Sequence, residues 1–288
     1  MKVVSFSLKP GNNYVGSVDG GPEFLIGKRV SYLDTKGLMN VVGSAPSQKY
    51  DRAQFRPTFA FWADFIYPTA MAEGGLFHTL NTYDRARFTF TFLQYAAHVP
   101  DGDFVVFFRT LLSLPAAVDY FPDLRVQNGR ICRFANGSVT AIESSASTEL
   151  LMDYLNPSGT EVEDTEIIQA ARFVHWAQND QQHRDVQIRI GVNLFKAQMA
   201  VYARWYPMLD GAAPPICTVV ADIHHQGRAK AADVLMALKS ADPLSALLDI
   251  GRTQYPDRIA TLSQAIDALT KDGTYGQLKY DASKSAFV

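Results

Sequence analysis

The chain has 288 residues, 47% of them hydrophobic, and a formal net charge of -2 at pH 7. That is enough apolar material for one large core or two modest ones, which excludes general disorder. Near-neutral charge without a basic stripe of interleaved aromatics excludes a nucleic-acid footprint. Cys132 and Cys217 are the two cysteines; their separation lacks metal-type spacing and gives no disulfide framework, so two buried free thiols are expected.

Met1 to Pro10 is too polar for a signal peptide. No run reaches the roughly 18 apolar residues of a membrane helix, and Phe104 to Leu114 is short and carries Arg109. Neither an export signal nor a membrane span is therefore expected. Residues 1–48 are rich in glycine and polar turns, including Pro10-Gly11-Asn12-Asn13 and Gly20-Gly21-Pro22. Short runs at Phe24 to Ile26 and Arg29 to Leu33 suit strands. This segment reads as an irregular or small β extension ahead of a domain over residues 49–288.

From Phe55 to Glu73 the aromatic and aliphatic density predicts a buried helix that Pro68 kinks or breaks. Glu73 then ends a short second helix before Gly74-Gly75. Tyr83-Asp84 and the run Phe88-Thr89-Phe90-Thr91-Phe92-Leu93-Gln94 follow. Cleaving a glycosidic bond takes one carboxylic acid that holds its proton and often an ionised carboxylate facing it. Phe59, Phe61, Trp62, Phe65, Ile66 and Met71 give Glu73 an apolar setting of the first kind. Asn81, Thr82, Arg85 and Arg87 give Asp84 a polar, cationic setting of the second. Taken singly, a glutamate before two glycines is also an ordinary helix C-terminus, and Asn-Thr-Tyr-Asp is turn chemistry in its own right.

Glu-Gly-Gly-Leu, then Tyr-Asp, then alternating Thr and aromatic residues resembles the helix-to-hairpin active site of the lysozyme superfamily, closest to phage T4-type muramidases. It is also similar to the corresponding stretch of chitosanases and goose-type lytic transglycosylases. The resemblance spans Glu73 to Gln94. It implies an α+β, mainly α, two-lobed fold with a small β-hairpin lobe, a polysaccharide substrate and no cofactor. Glu73 would be the general acid, and Asp84 with Thr89 would hold the attacking water. Tyr83, Thr91 and Gln94 would contact substrate; Thr91 stands where transglycosylases have glycine.

Leu93 to His98 and Phe104 to Leu114 read as helices around the turn Val99 to Asp103, with Asp103 as a cap. Asp101 and Asp103 are structural first and a fallback for Asp84. His98 is expected to satisfy carbonyls at a helix end. An insertion at about 116–157 contains the hairpin signal Asn136-Gly137 between alternating runs. Its Asp119, Tyr120, Phe121 and Asp123 suit either a groove or, for the two aromatics, the core.

The remainder is helical: Glu161 to Asn179 with an acidic first turn, Arg184 to Trp205, a helix from Pro214-Pro215, Ala229 to Leu238, and Ser263 to Thr270. Trp176, Tyr202 and Trp205 are expected in the core. Asp222-Ile223-His224-His225-Gln226-Gly227 offers two histidines and a carboxylate, but adjacent histidines on a helix diverge by about 100°, so no metal site is expected. The segment resembles a late helix of chitosanases beside their cleft, which assigns Asp222 and His225 to shaping the substrate groove. The expected activity is cleavage of β-1,4 bonds in peptidoglycan, favoured by Arg85 and Arg87. Chitosan is the alternative substrate. A non-catalytic glycan-binding or phage-particle protein is the alternative of another class. An enzyme of this kind would rely on phage lysis, a virion or a secretion apparatus for delivery.

Overall fold

Asn-rich and Gly-rich turns divide the first forty residues into four strands: β1 (Val4–Lys9), β2 (Asn13–Val18), β3 (Phe24–Tyr32) and β4 (Thr35–Asn40). A computed structural model describes residues 1–43 and 48–288. In it these strands form an antiparallel meander that continues through β5 (Leu80–Asn81), β6 (Thr89–Phe90) and β7 (Tyr95–Ala96) as one seven-stranded sheet. The join is β4 to β5, with Met39 opposite Asn81 and Asn40 opposite Leu80. Gly37 makes it possible, because a Cβ there would lie 2.6 Å from the Thr82 hydroxyl. The segment expected as an extension over 1–48 is therefore not an appendage: its residues 4–40 share a sheet with the hairpin of the candidate site.

The chain divides into two compact units, one of Met1–Lys49 and Leu76–Ile190, the other of Tyr50–Gly75 and Gly191–Val288. The protein is α+β, 45% helix and 19% strand. The first unit adds to its sheet α4 (Asp103–Leu111), α5 (Ala117–Tyr120), α6 (Glu149–Leu155), α7 (Asp164–Asn179) and the start of α8 (Gln181–Trp205). Phe173 of α7 centres its core, with the rings of Phe88, Phe90, Phe104, Phe107, Phe108 and Phe121 at 5.0–6.4 Å. The alternation in the Phe88 to Phe92 run thus anchors the hairpin. A second sheet, ordered β10-β9-β8, contains β8 (Leu124–Gln127), β9 (Arg130–Ala135) and β10 (Ser138–Ala141). Its β9–β10 turn is the expected Asn136-Gly137, both with positive φ. Leu93 to His98 is not a helix: Thr91–Gln94 is a turn and Tyr95–Ala96 a strand, because Phe90 pairs with Tyr95.

The second unit begins with α1 (Arg52–Phe59), α2 (Phe61–Phe65) and α3 (Tyr67–Ala72). Pro68 starts α3, but a further break occurs at Ala60, where φ is 49°. The unit continues with the rest of α8, α9 (Pro214–Gln226), α10 (Ala231–Leu238), α11 (Pro243–Asp249), α12 (Pro256–Lys271) and the small pair β11 (Tyr280–Asp281) and β12 (Ala286–Phe287). α12 packs along α3. Cys132 and Cys217 are free and buried. Trp176 and Tyr202 are buried, whereas Trp205 is 53% exposed. Among the described residues no helix is long and apolar enough to cross a membrane.

Candidate functional site

Glu73 is the C-cap of α3, its amide donating to Thr69 O at 3.0 Å, and Gly74 and Gly75 then turn the chain through φ of 96° and 68°. Its side chain is 11% exposed. Arg258 Nη1 donates to Glu73 Oε1 at 2.5 Å, and Nη2 of the same guanidinium donates to Asp222 Oδ1 at 2.7 Å. Arg228 Nη1 donates to the other Asp222 oxygen at 2.6 Å. His225 Nε2 lies 4.0 Å from Glu73 Oε1, and its ring packs against Phe195.

Local sequence explains how these groups converge. Asp222 and His225 are three apart on α9 and so share a face. Gly227, left-handed at φ 72°, ends that helix, and Arg228 follows it and reaches back to Asp222. Pro256 sets the start of α12 and places Arg258 in its first turn. Burial would raise the Asp222 pKa, but Arg258 and Arg228 outweigh it and hold the carboxyl below the usual range. Burial depresses Arg258, yet Asp222 and Glu73 raise it above an ordinary arginine.

Two expectations change here. The Glu73 carboxylate meets charge rather than an apolar wall, while Trp62 and Phe65 pack on Phe287 at 5.5 and 5.0 Å. Asp222 is fully buried with both oxygens occupied, so it does not line a groove; it bears on Glu73 through Arg258.

Asp84 belongs to the other unit, in the loop between β5 and β6. Its Oδ1 accepts from Ala86 N at 2.8 Å and its Oδ2 from Asn81 Nδ2 at 3.1 Å. Thr89 is the cross-strand partner of Asn81, so one asparagine links the two residues expected to hold water. Tyr83 donates its amide to Asn81 Oδ1, and its ring is 6.4 Å from Tyr32. Arg87 does not supply charge to Asp84: its guanidinium goes to Glu149, Asp153 and the Asn156 carbonyl. His98, half-buried rather than at a helix end, has its pKa lowered by burial first and Arg85 second, against Asp84.

Thr91 is fully buried and its hydroxyl accepts from Leu93 N, which removes it from substrate contact. Its φ of 94° lies where glycine is favoured, so the position keeps a glycine-type backbone without the glycine. Gln94 ends the same turn and is half-buried. Tyr120 and Phe121 are core, and Asp123 accepts from Tyr154 and Arg133. A pocket of about 310 Å³ nearby is lined by Arg133, Ser138, Thr140, Leu150, Asp153 and Tyr154; its one acid, Asp153, is paired with Arg87.

The structure thus gathers Glu73, Asp222 and His225 in one unit, and Tyr83, Asp84, Thr89, Thr91 and Gln94 in the other. Sequence reasoning missed Arg258, Arg228, Asn156 and Glu166. Arg228 adjoins the flagged Gly227; nothing local marks the other three. The chain matches no protein-family model, no curated protein and no solved structure.

Proposed function

We propose that the chain is a lysozyme-like glycoside hydrolase that cleaves β-1,4 bonds of peptidoglycan, with Glu73 delivering the proton to the leaving oxygen. The observation that carries this reading is the convergence of Glu73 and Asp222, about 150 residues apart in sequence, on one guanidinium, with His225 4.0 Å from Glu73. Arg258 fixes one Glu73 oxygen, and Asp222 fixes Arg258, so the acid is preorganised. Asp84, oriented by Asn81 and backed by Thr89, would hold water or stabilise the oxocarbenium-like transition state. His225 would contact the saccharide beside Glu73, and Tyr83 and Gln94 are the candidate contacts on the unit that carries Asp84.

Chitosan is the second reading, favoured because the turn ending in Gly227 stands beside the acid. Zymography on cell walls and on chitosan separates the two. Glu73→Gln is expected to lose clearing by about 100-fold or more while its circular dichroism stays that of the wild type. Equal clearing by both proteins, or none by either on any glycan, would end the hydrolase reading, and glycan retention without clearing would make it a binding protein.

A further inference from the structure

The loop Thr82 to Arg87 carries Tyr83, Asp84 and Arg85, and it is held in an unfavourable shape. Arg87 has φ of 55°, a left-handed conformation that an arginine keeps only when its surroundings over-determine it. Those surroundings converge on Asn156, the fully buried C-cap of α6. Its side-chain amide donates one hydrogen to Thr82 O and the other to Arg87 O, both at 3.0 Å, and so closes the loop at its two ends. Its Oδ1 accepts from Gly159 N at 3.3 Å, so the amide orientation is fixed rather than free to flip. Arg87 returns the contact, with Nε donating to Asn156 O at 3.0 Å. On the opposite side the Thr82 hydroxyl accepts from Leu38 N at 2.6 Å and donates to buried Glu166.

We infer that Asn156 is a positioning residue for Asp84: by tying Thr82 to Arg87 it sets where the Asp84 carboxylate points. This rests on the proposed role of Asp84. A donor that satisfies two carbonyls at the ends of one loop has no substitute among similar side chains. Aspartate has the same shape but no hydrogens to give. The loop interior depends on the closure, because Arg87 N donates to Asp84 O and Ala86 N to Asp84 Oδ1.

The test uses Asn156→Asp and Asn156→Ala, each alone and combined with Asp84→Asn, in the full chain. On cell walls, each Asn156 variant is expected to lower kcat by roughly 100-fold with KM nearly unchanged, the scale of a misplaced catalytic group. In the Asp84→Asn background the same change is expected to do almost nothing further, since the group it positions is already disabled. Additive losses, or an unchanged kcat in either variant, overturn the inference. Hydrogen exchange supplies a second readout that needs neither activity nor a folded variant. In the unmodified protein the Ala86 and Arg87 amides should exchange as slowly as those of β5 and β6, and unprotected amides would overturn the clamp. A wild type that clears no glycan but shows this protection would sink the hydrolase reading and leave the loop closure standing.

Discussion

The surroundings of Glu73 and of Asp84 are built from opposite materials. Glu73 is fixed by long-range charge: Arg258 is 185 residues away in sequence, and behind it Asp222 and Arg228 are desolvated to 0% side-chain exposure. Asp84 is fixed by backbone turn chemistry within three residues, and only the ends of its loop are held by distant groups. The contrast separates two ways of orienting a carboxylate. A buried ion network is rigid and intolerant, because any removed partner strands a charge. An Asx-type turn is cheap, local and more easily lost to solvent.

The largest loss of stability is expected at Asp222. Asp222→Ala leaves Arg228 and Arg258 facing each other without their shared anion, and should cost about 3–5 kcal/mol in chemical denaturation. A loss below about 1 kcal/mol, the ordinary size for one exposed hydrogen bond, would mean that the network does not fix Glu73 as described.

Glu166 sharpens the other half. Burial, opposed by hydrogen bonds from Thr82 and Leu38, pushes its carboxyl up to about 7 from 4.5. The folded chain holds this proton to higher pH than the unfolded one. Its stabilising contribution is therefore complete below about pH 4.5 and is lost as pH rises through about 7. At about 1.4 kcal/mol per unit, Glu166→Gln should exceed the wild type at pH 8 by up to roughly 3 kcal/mol relative to their difference at pH 4. His183, pushed down to about 3 by burial, acts in the reverse sense, losing its contribution as pH falls below 6.5. Comparing urea midpoints of variant and wild type cancels that background; a pH-independent difference would refute the buried acid.

The smallest effect belongs to Asp84 itself. Asp84→Ala gives up two local hydrogen bonds at a half-exposed position, an expected cost of about 1–2 kcal/mol by thermal melting. A loss as large as that of Asp222→Ala would erase the distinction between the two environments.

Much of the framework was legible because it is written in local rules. The Asn136-Gly137 hairpin, the proline starts of α3 and α9, the acidic first turn of α7 and the periodic face of that helix all follow from nearest-neighbour chemistry. The Leu93 to His98 helix failed because its apolar residues serve a hairpin return: Phe90 pairs with Tyr95 across a turn that holds Thr91 and Gln94 at positive φ. Trp205 was expected in the core by residue type alone and is exposed at the end of its helix.

By itself, the sequence determined that Glu73 closes a short helix, that Asp84 opens a turn, and that Asp222 and His225 share a helical face, since each depends on spacings of a few residues. Tertiary structure alone decided that residues 4–40 complete the hairpin's sheet, that Arg258 rather than an apolar wall meets Glu73, and that Asn156 closes the Asp84 loop. Those contacts join segments some 40 to 185 residues apart. A hydrogen bond or ion pair at that range leaves no periodicity along the chain, because its geometry exists only after the core has brought the partners together.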